Sequence, residues 1–155
     1  MPISRLAAIS FAMLAALGSV AALAQAPAVD PAIASMTPDQ MVAARQAAMK
    51  EDGGALKAAF GQTGAEAEAS AAVLLKNFTN LPALFKEGSL TDKSEALPLI
   101  WTEFDKFSAI FVKDQGLAAD MLAAAKSGDQ AAYLTAAKAI GASCGECHQT
   151  YRKKN

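Results

Sequence analysis

Cys144, Cys147 and His148 are the residues of this 155-residue chain whose types and spacing point most directly to chemistry. They are its only two cysteines and its only histidine. On a helix, positions i, i+3 and i+4 share one face. Cys144-Gly145-Glu146-Cys147-His148 would therefore present two thiols and an imidazole side by side. Two thiols so placed can add to the two vinyl groups along one edge of a porphyrin. The adjacent imidazole can then reach the iron through an unprotonated nitrogen. C-x-x-C-H is the spacing of c-type haem attachment, and a covalent tether also keeps the haem from being lost outside the cytoplasm.

Other uses of these residues fit less well. A disulfide across C-x-x-C would close a very small loop and leave His148 without a role. A thioredoxin-like pair opens a helix after a strand, whereas this one stands late in a terminal helix. Zinc needs three or four ligands, and no second cluster of nitrogen and sulfur ligands exists. With one histidine already in the motif, a Ser-His-Asp triad has none to use, and a peroxidase would lack a distal acid or base. Enzymatic turnover is not expected. The formal charge is −1, with 14 basic and 15 acidic residues. No basic stripe is interleaved with aromatics, so nucleic acid is not an expected partner. Arg152, Lys153 and Lys154 cluster near the C-terminus, either complementing a helix dipole or offering a docking patch to an acidic redox partner.

The first 26 residues describe an export signal. Arg5 supplies the positive end, Leu6 to Leu23 is uncharged and mostly apolar, and Ala22-Leu23-Ala24 and Ala24-Gln25-Ala26 follow as small-residue cleavage sites. The reading places residues 1–26 in a cleaved signal peptide and 27–155 in one domain, periplasmic and without a membrane span.

The elements that must hold the motif follow from capping and periodicity. Apolar residues make up 53% of the chain and aromatics 6%. Much of the apolar share is alanine, the best helix former, so an all-α domain is expected. Thr37-Pro38-Asp39-Gln40 reads as a capping box with proline at the first helical position, and Met36 and Met41 hold the staple positions. The stripe that follows carries Val42, Arg45, Met49, Leu56 and Phe60, with Gly53-Gly54 an expected interruption or a place where something bulky comes close. A second capping box at Thr63-Gly64-Ala65-Glu66 predicts a helix to about Gly88, bent or ended by Pro82. A third is predicted from Ser94 to Lys126, with Trp101, Phe104, Phe107 and Phe111 as core or pocket wall. A fourth runs from Gln130 to Lys153, with Tyr133, Ile140, Cys144, Cys147, His148 and Tyr151 on one side. Short connections favour antiparallel neighbours, giving an up-down-up-down four-helix bundle.

With these residues in place, the chain resembles the class II c-type cytochromes, the cytochrome c′ family, over essentially all of 27–155. The resemblance rests on the C-terminal haem motif followed by Tyr151, Arg152, Lys153 and Lys154. It rests also on Arg45-Gln46-Ala47-Ala48-Met49, Leu81-Pro82-Ala83-Leu84-Phe85 and Ile100-Trp101. It implies one haem c, covalent through Cys144 and Cys147 and held between the first and fourth helices, with His148 as proximal ligand. It places Arg45, with Gln46 beside it, near a haem propionate, and Met49 on the distal side of the iron. In the family's low-spin members a methionine ligates there and the protein carries electrons. In its five-coordinate members the position stays open to nitric oxide or carbon monoxide. The chain looks more like the low-spin group, an electron carrier serving redox partner proteins, with gas binding as the alternative. The family also suggests a homodimer through the first two helices.

Overall fold

Thr37 begins the first long helix as the sequence predicts. Its hydroxyl accepts from the Gln40 amide and the Gln40 side chain returns the bond to the Thr37 amide. A computed structural model describes residues 27–154 of the chain; the export segment expected over 1–26 lies outside them. A turn of 3-10 helix over Pro31–Ser35 leads into α1 (Pro38–Ala59), α2 (Gly64–Leu84), a one-turn α3 (Leu99–Thr102), α4 (Phe104–Ser127) and α5 (Gln130–Tyr151). Among the described residues no helix is long and apolar enough to cross a membrane.

The four long helices form the antiparallel bundle, and cross-helix pairs give its order directly. Arg45 bonds to Leu84 and Asp52 to Asn77, so α1 and α2 run in opposite directions. The Phe85 ring packs on Phe107 while Gln115 reaches Phe78, and Phe107 packs on Tyr151 while Ser143 bonds Asp114. Each successive pair of long helices is thereby antiparallel. Phe107 is the hub of the core, with Phe85, Phe111 and Tyr151 set edge-on around it at centroid distances of 4.8, 5.1 and 5.2 Å, a geometry that aromatic quadrupoles favour.

Several boundaries differ from the sequence expectation, each for a physical reason. Gly53-Gly54 does not interrupt α1, which continues to Ala59. The apolar stripe also ends there, because Phe60 is 55% exposed. The capping box at Thr63 does not form. Gly64, the first residue of α2, adopts a left-handed φ of 56° instead of the helical φ that a capped first turn requires. Pro82 lies inside α2, which continues two residues past it to Leu84 and ends short of the expected Gly88. Proline lacks the N–H that would bond the Phe78 carbonyl four residues earlier. The Gln115 side-chain amide of α4 donates to that carbonyl at 3.0 Å instead.

The third helix does not start at Ser94. Leu97 N–H donates to the Tyr151 carbonyl at 2.9 Å and Lys153 N–H to the Glu95 carbonyl at 2.8 Å, forming an antiparallel bridge between Ala96 and Arg152. Backbone paired in this way is extended, and Pro98 also disfavours helix at Leu97. Only α3 forms before a break at Glu103. The same pairing ends α5 at Tyr151 rather than Lys153.

Candidate functional site

α1 and α5 face each other across the bundle but meet at only a few points, each packing more extensively on its chain neighbour. The gap between them is lined by the motif residues. One cavity of about 250 Å³ has Arg45, Gln46 and Met49 of α1 opposite Cys147, His148 and Tyr151 of α5, with Phe107 behind. A second, of about 260 Å³, has Met49, Asp52 and Gly53 opposite Ser143, Cys144, Cys147 and His148, with Phe78 and Phe111 behind. Met49, Cys147 and His148 belong to both walls. All six residues singled out from the sequence thus line this one gap. Gly53 lies in its wall, and a Cβ there would meet nothing within 4 Å. Gly53 therefore leaves room in the gap, and the glycine pair does not end the helix.

Burial tunes the motif for ligation and against thiol redox chemistry. It lowers the proton affinity of His148, the Arg152 cation lowers it further, and Glu95 opposes both. The imidazole is kept in the neutral form that a metal requires. Burial pushes the Cys147 thiol up to about 11, with Cys144 and Asp114 adding to the shift. Cys144 is raised for the same first reason. A dithiol exchange site needs the opposite, a depressed thiol. The two cysteines are not bonded to each other.

Arg45 is 4% exposed. Its Nη1 donates to the Leu84 carbonyl and the Ser89 hydroxyl, each at 3.0 Å, and its Nη2 to the Ser89 carbonyl at 3.0 Å and Ser94 Oγ at 2.7 Å. The guanidinium also stacks over the Phe85 ring, 4.5 Å from its centroid. Every one of these partners is neutral, and burial lowers the arginine's proton affinity. A buried cation surrounded by neutral acceptors is suited to an anion arriving from outside the chain. Gln46, on the rim, donates to the Lys93 carbonyl at 3.0 Å. Arg152 lines the first cavity and pairs with Glu95 at 2.7 Å. Lys153 Nζ donates to the Ser94 carbonyl, so two of the three terminal cations hold the loop before α3.

Sequence reasoning missed Asp52, Asp114, Asn77 and Ser143, which form buried polar contacts beside the second cavity. A signal existed for Asp52 alone. With Arg45 and Met49 it follows the i, i+4, i+7 spacing of one helix face.

A family model described as Cytochrome C' matches residues 40–152. The chain is 39% identical over 117 residues to a cytochrome c-556 of Agrobacterium tumefaciens (strain B2A), covering 71% of this chain and 94% of that one. It is 35% identical over 124 residues to a cytochrome c′ of Pararhodospirillum photometricum, covering 76% and 99%. In structure it is similar to a variant of cytochrome c prime from Alcaligenes xylosoxidans described as a nitrosyl complex. That match has a TM-score of 0.69 and 27% identity, covering 76% of this chain and 98% of the other. The gap between α1 and α5, the C-x-x-C-H motif and these relatives converge: the chain belongs to the cytochrome c′ family, four-helix-bundle electron carriers with one covalent haem c.

Proposed function

We propose that the chain is an exported, periplasmic one-electron carrier whose haem is six-coordinate. Cys144 and Cys147 hold the haem by thioethers, His148 is its proximal ligand and Met49 its distal ligand. The observation that carries this reading is that Met49 of α1 and His148 of α5, on facing helices, both lie in the walls of both cavities, joined only by Cys147. The polarity of the gap supports it. The cations Arg45 and Arg152 stand at one end, suited to propionates, and Cys144 with apolar Leu56, Phe78 and Phe111 at the other, suited to the vinyl edge.

When bound, the haem supplies a one-electron iron couple, and histidine–methionine ligation raises its potential. The chain's own residues do the rest. The neutral His148 offers its nitrogen, Arg45 and Gln46 bind the anionic edge, and the aromatic wall around Phe107 keeps water from the ring. Pairing of two copies through α1 and α2 belongs to the same reading. Sedimentation of the holoprotein tests it, and a monomer at every concentration removes it.

Optical spectra of the oxidised and reduced protein, with and without carbon monoxide, test the ligation. Low-spin spectra in both states, with little uptake of the gas and high-spin character in Met49→Ala, are expected. A ferrous wild type that is high-spin and takes up carbon monoxide readily refutes Met49 ligation. It would favour the second reading, an open site for nitric oxide or carbon monoxide. Two observations speak for that reading: Met49 is only partly buried, and the Alcaligenes relative is described as a nitrosyl complex.

A further inference from the structure

Electron carriage leaves two carboxyl groups in the second cavity unused. Asp52 of α1 and Asp114 of α4 are each 3% exposed. Asp52 Oδ1 accepts from Asn77 Nδ2 at 2.8 Å, and Asp114 Oδ2 accepts from Ser143 Oγ at 3.0 Å. Their second oxygens, Asp52 Oδ2 and Asp114 Oδ1, are buried and have no hydrogen-bond partner. Neither acid has an ion pair among the described residues. Ionising both carboxylates in such a site is costly, which raises the affinity of the site for a proton.

Its surroundings make that proton exchangeable near neutral pH. Burial raises the Asp52 carboxyl to about 7. The Asn77 donor opposes the rise, while Glu51 on the same helix and Asp114 across the cavity add to it. From α5, Cys144 lines the same cavity as both acids, but as a haem thioether it carries no titratable proton. Lys113 and Glu146 act on Asp114 in opposite senses. Gly53 and Gly141, both exposed, lie in the cavity wall.

We propose that Asp52 is a redox-linked proton site, taking up a proton when the haem gains an electron and releasing it on oxidation. The inference rests on the electron-carrier reading. The electron comes from the carrier's own donor. The proton comes from solvent and forms one O–H bond on the carboxylate, so one negative charge gained at the iron is matched by one neutralised at Asp52. Asp52 lies one helical turn beyond Met49. At an effective dielectric of about 20, a unit of negative charge gained nearby raises the proton affinity of a carboxylate. Reduction therefore increases the protonated share of Asp52 at neutral pH. Asp114, held by Ser143, adds to the rise that burial gives the Asp52 proton affinity.

The reduction potential of the holoprotein, titrated against pH with the spectrum recorded at each point, tests this. The expected wild-type result is a potential that falls as pH rises through about 7. Each tenfold difference in proton affinity between the two redox states separates its acid and alkaline plateaus by about 59 mV. Asp52→Asn is expected to abolish that segment while leaving the ligation spectrum unchanged. Asp114→Asn should move the segment to lower pH. A flat wild-type profile, or a slope that survives Asp52→Asn and moves to higher pH in Arg45→Met, overturns the proposal; the latter would assign the proton to a propionate, whose proton affinity rises when its cation is removed. If Asp52→Asn fails to take up haem, redox-difference infrared spectra of the wild type decide. A carboxylic-acid carbonyl band that appears on reduction and shifts in heavy water supports the proposal, and its absence refutes it. Failure of Met49 ligation would show in the spin state of the same samples, separately from the pH slope.

Discussion

Replacing Arg45 with methionine removes the guanidinium while retaining much of the side chain's apolar length, and the structure allows the cost to be worked out. Four hydrogen bonds are lost, two from each terminal nitrogen. Ser94 Oγ keeps the Ala96 N–H as a donor, but the Leu84 carbonyl, the Ser89 carbonyl and the Ser89 hydroxyl lose a buried partner. At about 1 kcal/mol each after partial wetting, with a further ~0.5–1 kcal/mol for the stack on Phe85, the loss is about 3–4 kcal/mol. For a domain of this size it should lower the melting temperature by roughly 10–15 °C. Thermal and urea unfolding of the holoprotein measure it. A double-mutant cycle with Ser94→Ala isolates the loop contact, with a coupling of about 1 kcal/mol expected. Amides of Ser89 and Ser94, which close local turns, should also exchange faster in the variant. A destabilisation under about 1 kcal/mol with unchanged exchange would refute the reasoning, and Arg45 would then serve the cofactor alone.

Asp52 predicts a specific dependence of stability on pH. Burial raises its carboxyl to about 7 from an ordinary 3.8, so between those values the folded protein holds more protons than the unfolded one. That contribution is greatest below about pH 4 and is lost as pH rises toward 7, at roughly 1.4 kcal/mol for each tenfold difference in proton affinity between the folded and unfolded chain. Asp52→Asn should therefore stabilise the protein at pH 8 by a few kcal/mol and flatten this part of the profile; equal stability of the two proteins at pH 8 would contradict the burial argument. Gly128 closes α4 at a φ of 74°, and a Cβ there would meet nothing. Gly128→Ala should thus cost about 1 kcal/mol from backbone strain alone, measurable by urea unfolding, and a neutral result would mean that the turn had changed shape.

What the sequence revealed follows the range of the interactions involved. The start of α1 and the attachment motif are decided within a few residues, by the Thr37–Gln40 exchange and by the spacing of Cys144, Cys147 and His148, and both were legible. The common face of Arg45 and Met49 was legible from helical spacing. The break before α4 was not, because Glu95–Leu97 is held extended by the end of α5, far along the chain. The cage around Arg45 depends on Ser89 and Ser94 in a loop whose sequence carries no pattern. Asp114, between Lys113 and Gln115, reads as surface, and only the register of α4 against α5 buries it on Ser143. Phe60 misled in the opposite sense, continuing an apolar period one turn beyond the core.

The bond from Gln115 to the Phe78 carbonyl links two positions that share no obvious chemistry. Proline at 82 leaves that acceptor free, and a donor long enough to cross from α4 satisfies it. Were 82 occupied by any residue with an amide hydrogen, α2 would satisfy the carbonyl itself, and position 115 would be released to drift. Among descendants and relatives of this chain the two sites should therefore vary as a pair, with proline tolerated chiefly where the opposing side chain is an amide. A helix defect of this kind leaves an evolutionary trace in the partner that compensates it, one helix away.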